Sequence, residues 1–89
     1  MANLYLVDKP AGETALQLAR ADGNAKVVLI QDGVYLDARA VNSAGREVYA
    51  VRRDVELRGL SSRVPAFYKQ IDYGELIDLI EENKVINFA

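Results

Sequence analysis

Eighty-nine residues without a cysteine or a histidine leave no thiolate for a metal or a disulfide, and no imidazole to shuttle protons near neutral pH. The net charge is −2, the pI is near 5.0 and no Lys/Arg-rich tract occurs, which excludes a basic field for direct binding of nucleic acid. A hydrophobic fraction of 51% is high for one small domain over 1–89, and no apolar run approaches the ~20 residues of a membrane span, so the excess is expected at the subunit interfaces of a cytoplasmic oligomer.

The chain opens on an apolar run, Leu4 to Val7, that stops at the turn-rich stretch Asp8-Lys9-Pro10-Ala11-Gly12. Glu13 to Ala21 places Ala15, Leu18 and Ala19 at helical spacing, and Gly23 offers a stop. Val27 to Ile30 is a second run, β-branched and continuous rather than alternating. Val34, Ala38 and Val41 predict a second helix that ends near Ser43-Ala44-Gly45. Val48 to Val51 is the third strand. Asp54 is placed to cap a short third helix closed by Gly59, and a weaker fourth strand is expected within Ala66 to Ile71. Asp72 and Glu75 have the spacing of a capping box, followed by the apolar stripe Leu76, Ile77, Leu79 and Ile80 through Asn83. Val85 to Phe88 is read as a short edge strand or a segment packed on a partner.

Continuous apolar strands are covered on both faces, and strands alternating with helices predict a parallel sheet joined by right-handed crossovers. The expected fold class is therefore α/β, a three-layer α/β/α arrangement with a small, mainly parallel sheet of four to five strands, flavodoxin- or Rossmann-like. In such sheets ligands gather beyond the carboxyl ends of the strands. That rim is built here from Asp8 and Lys9, Gln31-Asp32-Gly33, Arg52-Arg53-Asp54 and Lys69 to Asp72.

Asp32 either caps the second helix, with Gly33 easing the turn, or contacts a partner or ligand. Arg52 and Arg53 are either solvated, ion-paired to Asp32 or Asp54, or free to bind a phosphate or carboxylate. General acid/base work by Asp32 lacks a second titrating group, and the serines lack any nucleophile context. No glycine-rich phosphate loop occurs. No catalytic residue, metal site or cofactor is expected. Tyr5 and Tyr49 fall in strands and belong to core or interface, whereas Tyr35 and Tyr73 open helices and are expected to be exposed.

One pattern is more specific. Leu29-Ile30-Gln31-Asp32-Gly33-Val34-Tyr35, then Val48-Tyr49-Ala50-Val51 with Asp54 and Leu57-Arg58-Gly59-Leu60, then Ile71-Asp72-Tyr73 with Leu76 and Leu79, resembles in order and spacing the signatures of the DsrH/TusB family of sulfur-relay proteins. The resemblance marks Arg58, Gly59, Asp72 and Tyr73 as structural motif residues. It implies the compact DsrEFH-like α/β/α fold and assembly with DsrE/DsrF (TusD/TusC)-like sister subunits. There, sulfur passes as a cysteine persulfide toward the 2-thiouridine of tRNA wobble positions or through sulfur oxidation. Some members carry a cysteine in the first helix, near Ala15 to Gln17 here. Without one, this sequence has no atom to bear a persulfide, so the resemblance implies a non-catalytic subunit, not an enzyme by itself. The alternative is a stand-alone homo-oligomeric module that holds a small anion with Lys9, Arg52 and backbone N–H groups.

Overall fold

The β-branched and aliphatic runs of the sequence become the inner strands of one sheet, where Leu4, Val27, Val28 and Leu29 are wholly shielded from solvent. The structure, a computed structural model, describes residues 1–89. In chain order the elements are β1 (Asn3–Val7), α1 (Gly12–Ala21), β2 (Ala25–Leu29), α2 (Arg39–Ser43), β3 (Glu47–Val51), α3 (Arg52–Leu57), β4 (Lys69–Ile71), α4 (Tyr73–Glu82) and β5 (Lys84–Phe88), with 3-10 turns at Lys9–Ala11 and Gln31–Tyr35. All four strand pairings are parallel, and the order across the sheet is β4-β3-β2-β1-β5.

That order explains how the two faces are covered. The first three crossovers step in one direction, so a right-handed chain lays α1, α2 and α3 on one face. The last returns across the sheet to place β5 beside β1, which puts α4 on the other. The strand alternation divides the core accordingly. Tyr5, Val27, Val48 and Ala50 pack with Ala15, Leu16, Val41 and Val55 on the first face. Leu4, Val28, Val51 and Ile71 pack with Leu76 and Leu79 of α4 on the second. Burying each such aliphatic side chain contributes about 1.5–3 kcal/mol, so the first face carries most of the stabilisation.

A single helix covers the second face incompletely: Leu6, Ile30 and Tyr49 there are only partly buried. Tyr73 and Ile77 are 51% and 54% exposed and Ile80 is 37% exposed, and the three recur at helical spacing along α4. Val85, on the same side of the edge strand β5, is also exposed.

The capping box expected at α4 is formed: the Glu75 N–H donates to Asp72 Oδ1 at 2.8 Å, and the Asp72 N–H donates to Glu75 Oε1 at 3.3 Å. The expected fourth and edge strands are present as β4 and β5.

Two helix-level expectations need correction. Val34, Ala38 and Val41 are all buried as their periodicity requires, yet the helix between them is interrupted at Leu36–Ala38. The Tyr68 hydroxyl donates to the Leu36 carbonyl at 2.6 Å and accepts from the Ala38 N–H at 3.1 Å, while Asp37 accepts from the Arg39 N–H at 3.0 Å. These bonds replace the helical ladder across the gap. Asp54, expected to cap α3, instead sits inside its first turn; the capping position is Val51, whose side chain has nothing to offer an N–H.

Candidate functional site

Because every strand runs the same way, the carboxyl ends of β1, β2 and β3 meet at one rim, and the chain turns sharply there. The carboxylate of Asp8 accepts from the Lys9 N–H at 2.6 Å and starts the first 3-10 turn. Lys9 Nζ lies 5.7 Å from the centroid of the Tyr35 ring, a cation–π contact that ties the two 3-10 turns together. Gly33 lies so close over β1 that a Cβ there would stand 2.2 Å from the Val7 carbonyl oxygen. Only glycine fits, and the strand-end crevice is closed by backbone at that point.

The tightest arrangement on the rim involves Gln31, which adopts φ +52 although it is not glycine. A side chain in this left-handed region costs roughly 1–2 kcal/mol, so something must hold it. The holder is Asp54, 7% exposed and the one buried charged residue, whose Oδ2 accepts from the Gln31 N–H at 2.8 Å. Arg58 completes the unit. Its Nε donates to Asp32 Oδ1 at 2.9 Å, and its Nη1 donates to the Asp54 carbonyl at 3.2 Å and stands 3.7 Å from Asp54 Oδ1. The bond to Asp32, with the negative charge of both aspartates, raises the guanidinium pKa still further and keeps it charged. A buried carboxylate, a strained backbone and a bridging arginine thus fix the β2 turn to α3.

This geometry revises the expected roles of several rim residues. Asp32 does not cap a helix; it is the outer partner of Arg58, and the 3-10 turn it belongs to has no side-chain cap. Arg52 neither pairs with Asp32 or Asp54 nor stands free: its Nη2 donates to the Gln70 carbonyl at 3.0 Å, pinning the short strand β4. Arg53 is exposed. The arginine that reaches both aspartates is Arg58, placed above as a motif residue alone. The i,i+4 spacing of Asp54 and Arg58 on one helix was the signal that could have found it.

Gly59, at φ +66, ends α3 in the left-handed conformation, and the Leu60 and Gly59 N–H groups donate back to the Val55 and Glu56 carbonyls. Asp72 serves α4 as its cap, and Tyr73 stands exposed beside it. As expected, Tyr5 is core and Tyr35 is exposed.

A second polar unit lies on the α4 side of the sheet. Glu47 on β3 stands 3.7 Å from Lys26 Nζ on β2 and 3.5 Å from Lys69 Nζ on β4, and accepts from the Tyr49 hydroxyl at 2.5 Å. Burial, and then the bond to Glu47, push the Tyr49 phenol up to about 12. The same bond, aided by the two lysines, holds Glu47 below the usual carboxylate range. A depressed carboxylate contributes stability that is present above its unfolded pKa and lost as pH falls through the folded one. A raised phenol contributes stability that is present below its unfolded pKa of 10.0 and lost as pH climbs toward about 12. Glu47→Gln is therefore expected to flatten the loss of stability in acid and to lower the pH at which Tyr49 ionises. Urea unfolding across pH and phenolate absorbance check the two halves; unchanged profiles would contradict the assignment.

No three carboxylates come close enough to hold a metal ion, and no helix is long and apolar enough to cross a membrane. What the rim offers is shape and fixed charge.

Three comparisons bear on this geometry. The family model described as DsrH like protein matches residues 10–86, which takes in the Gln31–Gly33 turn, Asp54, Arg58 and the α4 cap. Protein TusB of Photorhabdus laumondii subsp. laumondii is 37% identical over 70% of this chain and 68% of its own length. The crystal structure of the ychN protein from E. coli superposes with a TM-score of 0.80 over 99% of both chains at 17% identity, a likeness of fold. The extent of the family match and the identity to TusB together make this chain a member of the DsrH-like family.

Proposed function

We propose that this chain is a cysteine-free, non-catalytic subunit of a sulfur-relay assembly, supporting DsrE/DsrF (TusD/TusC)-like sister subunits that carry the sulfur as a persulfide. The observation that carries the reading is the combination of an uncovered apolar stripe, Tyr73, Ile77 and Ile80 on α4 with Val85 on β5, and a sequence that offers no thiol. Family membership supplies the context. A surface of this kind recovers its hydrophobic free energy by burial against another subunit. The rim then acts by placement. The Asp54–Gln31 lock holds it rigid, and exposed Arg53 is a cation that a neighbouring thiolate can face, which lowers a thiol pKa and favours the reactive anion. The sulfur served in this way goes to 2-thiouridine at tRNA wobble positions or takes part in sulfur oxidation. Asp8, Lys9, Asp32, Gly33, Arg52 and Asp54 shape the rim that faces the partner, from the cytoplasm and without direct contact to nucleic acid.

The alternative, a stand-alone oligomer that holds an anion at the rim, has less support, because Arg52 is engaged by Gln70 and Lys9 stacks on Tyr35. A tagged pull-down from native extract followed by native mass spectrometry separates the two readings. The relay reading expects partners of similar size, at least one bearing a persulfide sulfur. Homo-oligomers alone, with cysteine-bearing paralogues present in the extract, would overturn it.

A further inference from the structure

A cavity lies beside the strand-end rim, between Val34 and Tyr35 at the end of the Gln31–Tyr35 turn, the start of α2 and the connection from α3 to β4. Its volume is about 230 Å3. Val34, Leu36, Leu60, Val64 and Pro65 supply aliphatic walls, and Tyr68 adds a ring whose hydroxyl is already used by Leu36 and Ala38. The polar groups beside these walls are Tyr35, Asp37, Arg39 and Arg63, all exposed. The connection from 58 to 68 is longer than the usual ~2–6 residues between such elements and supplies one wall of the cavity.

The charges around the cavity are unevenly spent. Arg39 is clamped on Asp37, with Nε at 3.0 Å and Nη2 at 2.9 Å from its carboxylate oxygens. Arg63 has no carboxylate partner. In a chain of net charge −2 the cavity therefore carries two guanidinium groups against one carboxylate, a local surplus of one positive charge. An open cleft with aliphatic walls and one uncommitted guanidinium suits a molecule with an apolar body and one anionic head. Asp37 disfavours a dianion such as a phosphate monoester, which would bring a second negative charge beside it. The volume falls below the ~300–1,000 Å3 of pockets for drug-sized ligands, which limits the body to a single ring or a short branched chain.

We propose that this cavity binds small monocarboxylates with an aromatic or branched aliphatic body, with Arg63 taking the carboxylate. The inference stands apart from the relay reading, since neither the cavity nor Arg63 enters that argument.

The test is an NMR titration of the full chain with phenylacetate, with its neutral isostere phenylacetamide, and with acetate. Phenylacetate is expected to bind with a Kd of roughly millimolar size, as suits a ligand of so few atoms, and to shift the signals of Val34, Leu60 and Val64. Phenylacetamide lacks the charge and acetate lacks the body, so each is expected to bind at least about tenfold weaker. Arg63→Gln, at an exposed position where the fold is not at stake, is expected to weaken phenylacetate about tenfold while leaving the melting temperature unchanged. Equal binding of acid and amide, an unaltered Kd in Arg63→Gln, shifts at Asp8, Asp32, Arg52 and Arg53 without any at Leu60 or Val64, or no saturable shift at tens of millimolar would each overturn the proposal.

Discussion

Replacing Asp54 with Ala is expected to cost about 3–5 kcal/mol of folding stability, the largest loss from any polar substitution in the chain. The carboxylate does two things at once. It accepts from the Gln31 N–H while that residue sits at φ +52, and it neutralises Arg58, whose side chain is only 21% exposed. Alanine leaves the Gln31 N–H without its acceptor and Arg58 without one of its two carboxylate counter-charges, and it removes what holds the left-handed turn in place. Asp54→Asn keeps an acceptor but not the charge, so a smaller loss, about 1–3 kcal/mol, is expected. Arg58→Met should share part of the same free energy, making the Asp54→Ala/Arg58→Met pair clearly less costly than the sum of the single changes. Urea unfolding measures all four proteins. A loss below about 1 kcal/mol for Asp54→Ala, or strict additivity in the pair, would show that the three residues do not act as a unit.

The second large effect concerns assembly rather than folding. Ile77→Asp combined with Ile80→Asp is expected to cost no more than about 2 kcal/mol of folding stability, because Ile77 is 54% and Ile80 37% exposed in the isolated chain. On the proposed interface, binding to a sister subunit is expected to weaken at least about a hundredfold, since two charges would replace apolar anchors there. Leu18→Asp and Leu57→Asp provide the contrast. These residues are 49% and 67% exposed but lie on α1 and at the end of α3, on the other face of the sheet. They are expected to leave assembly intact. Native mass spectrometry of the co-expressed subunits reads the difference, and loss of assembly in the α1 and α3 variants instead would move the interface to the opposite face.

How far the sequence reveals this depends on the kind of interaction. The inner strands are legible because burial on both faces demands unbroken apolar runs, and the Asp72–Glu75 box is legible because it is wholly local. Their parallel order follows from alternation with helices. The interrupted second helix is hidden because Val34, Ala38 and Val41 keep helical spacing while Tyr68, some thirty residues away in sequence, takes over the hydrogen bonds at the break. The rim is half legible for a similar reason. Strand ends nominate Asp32, Arg52 and Asp54 by position, but pairing is set by which side chains reach one another in space. Arg58 reaches both aspartates, Arg52 turns to β4, and nothing in the letter Gln announces a left-handed residue at position 31. The cavity near Arg63 is assembled from three separate segments and leaves no periodic trace.

The most direct test of the subunit role is a reconstituted sulfur-transfer assay. A cysteine-bearing partner is loaded with labelled persulfide sulfur and supplied with its acceptor, with and without this chain. Transfer is expected to be slow from the partner alone, restored by adding this chain, and not restored by the Ile77→Asp/Ile80→Asp variant. Transfer at full rate without this chain would contradict it.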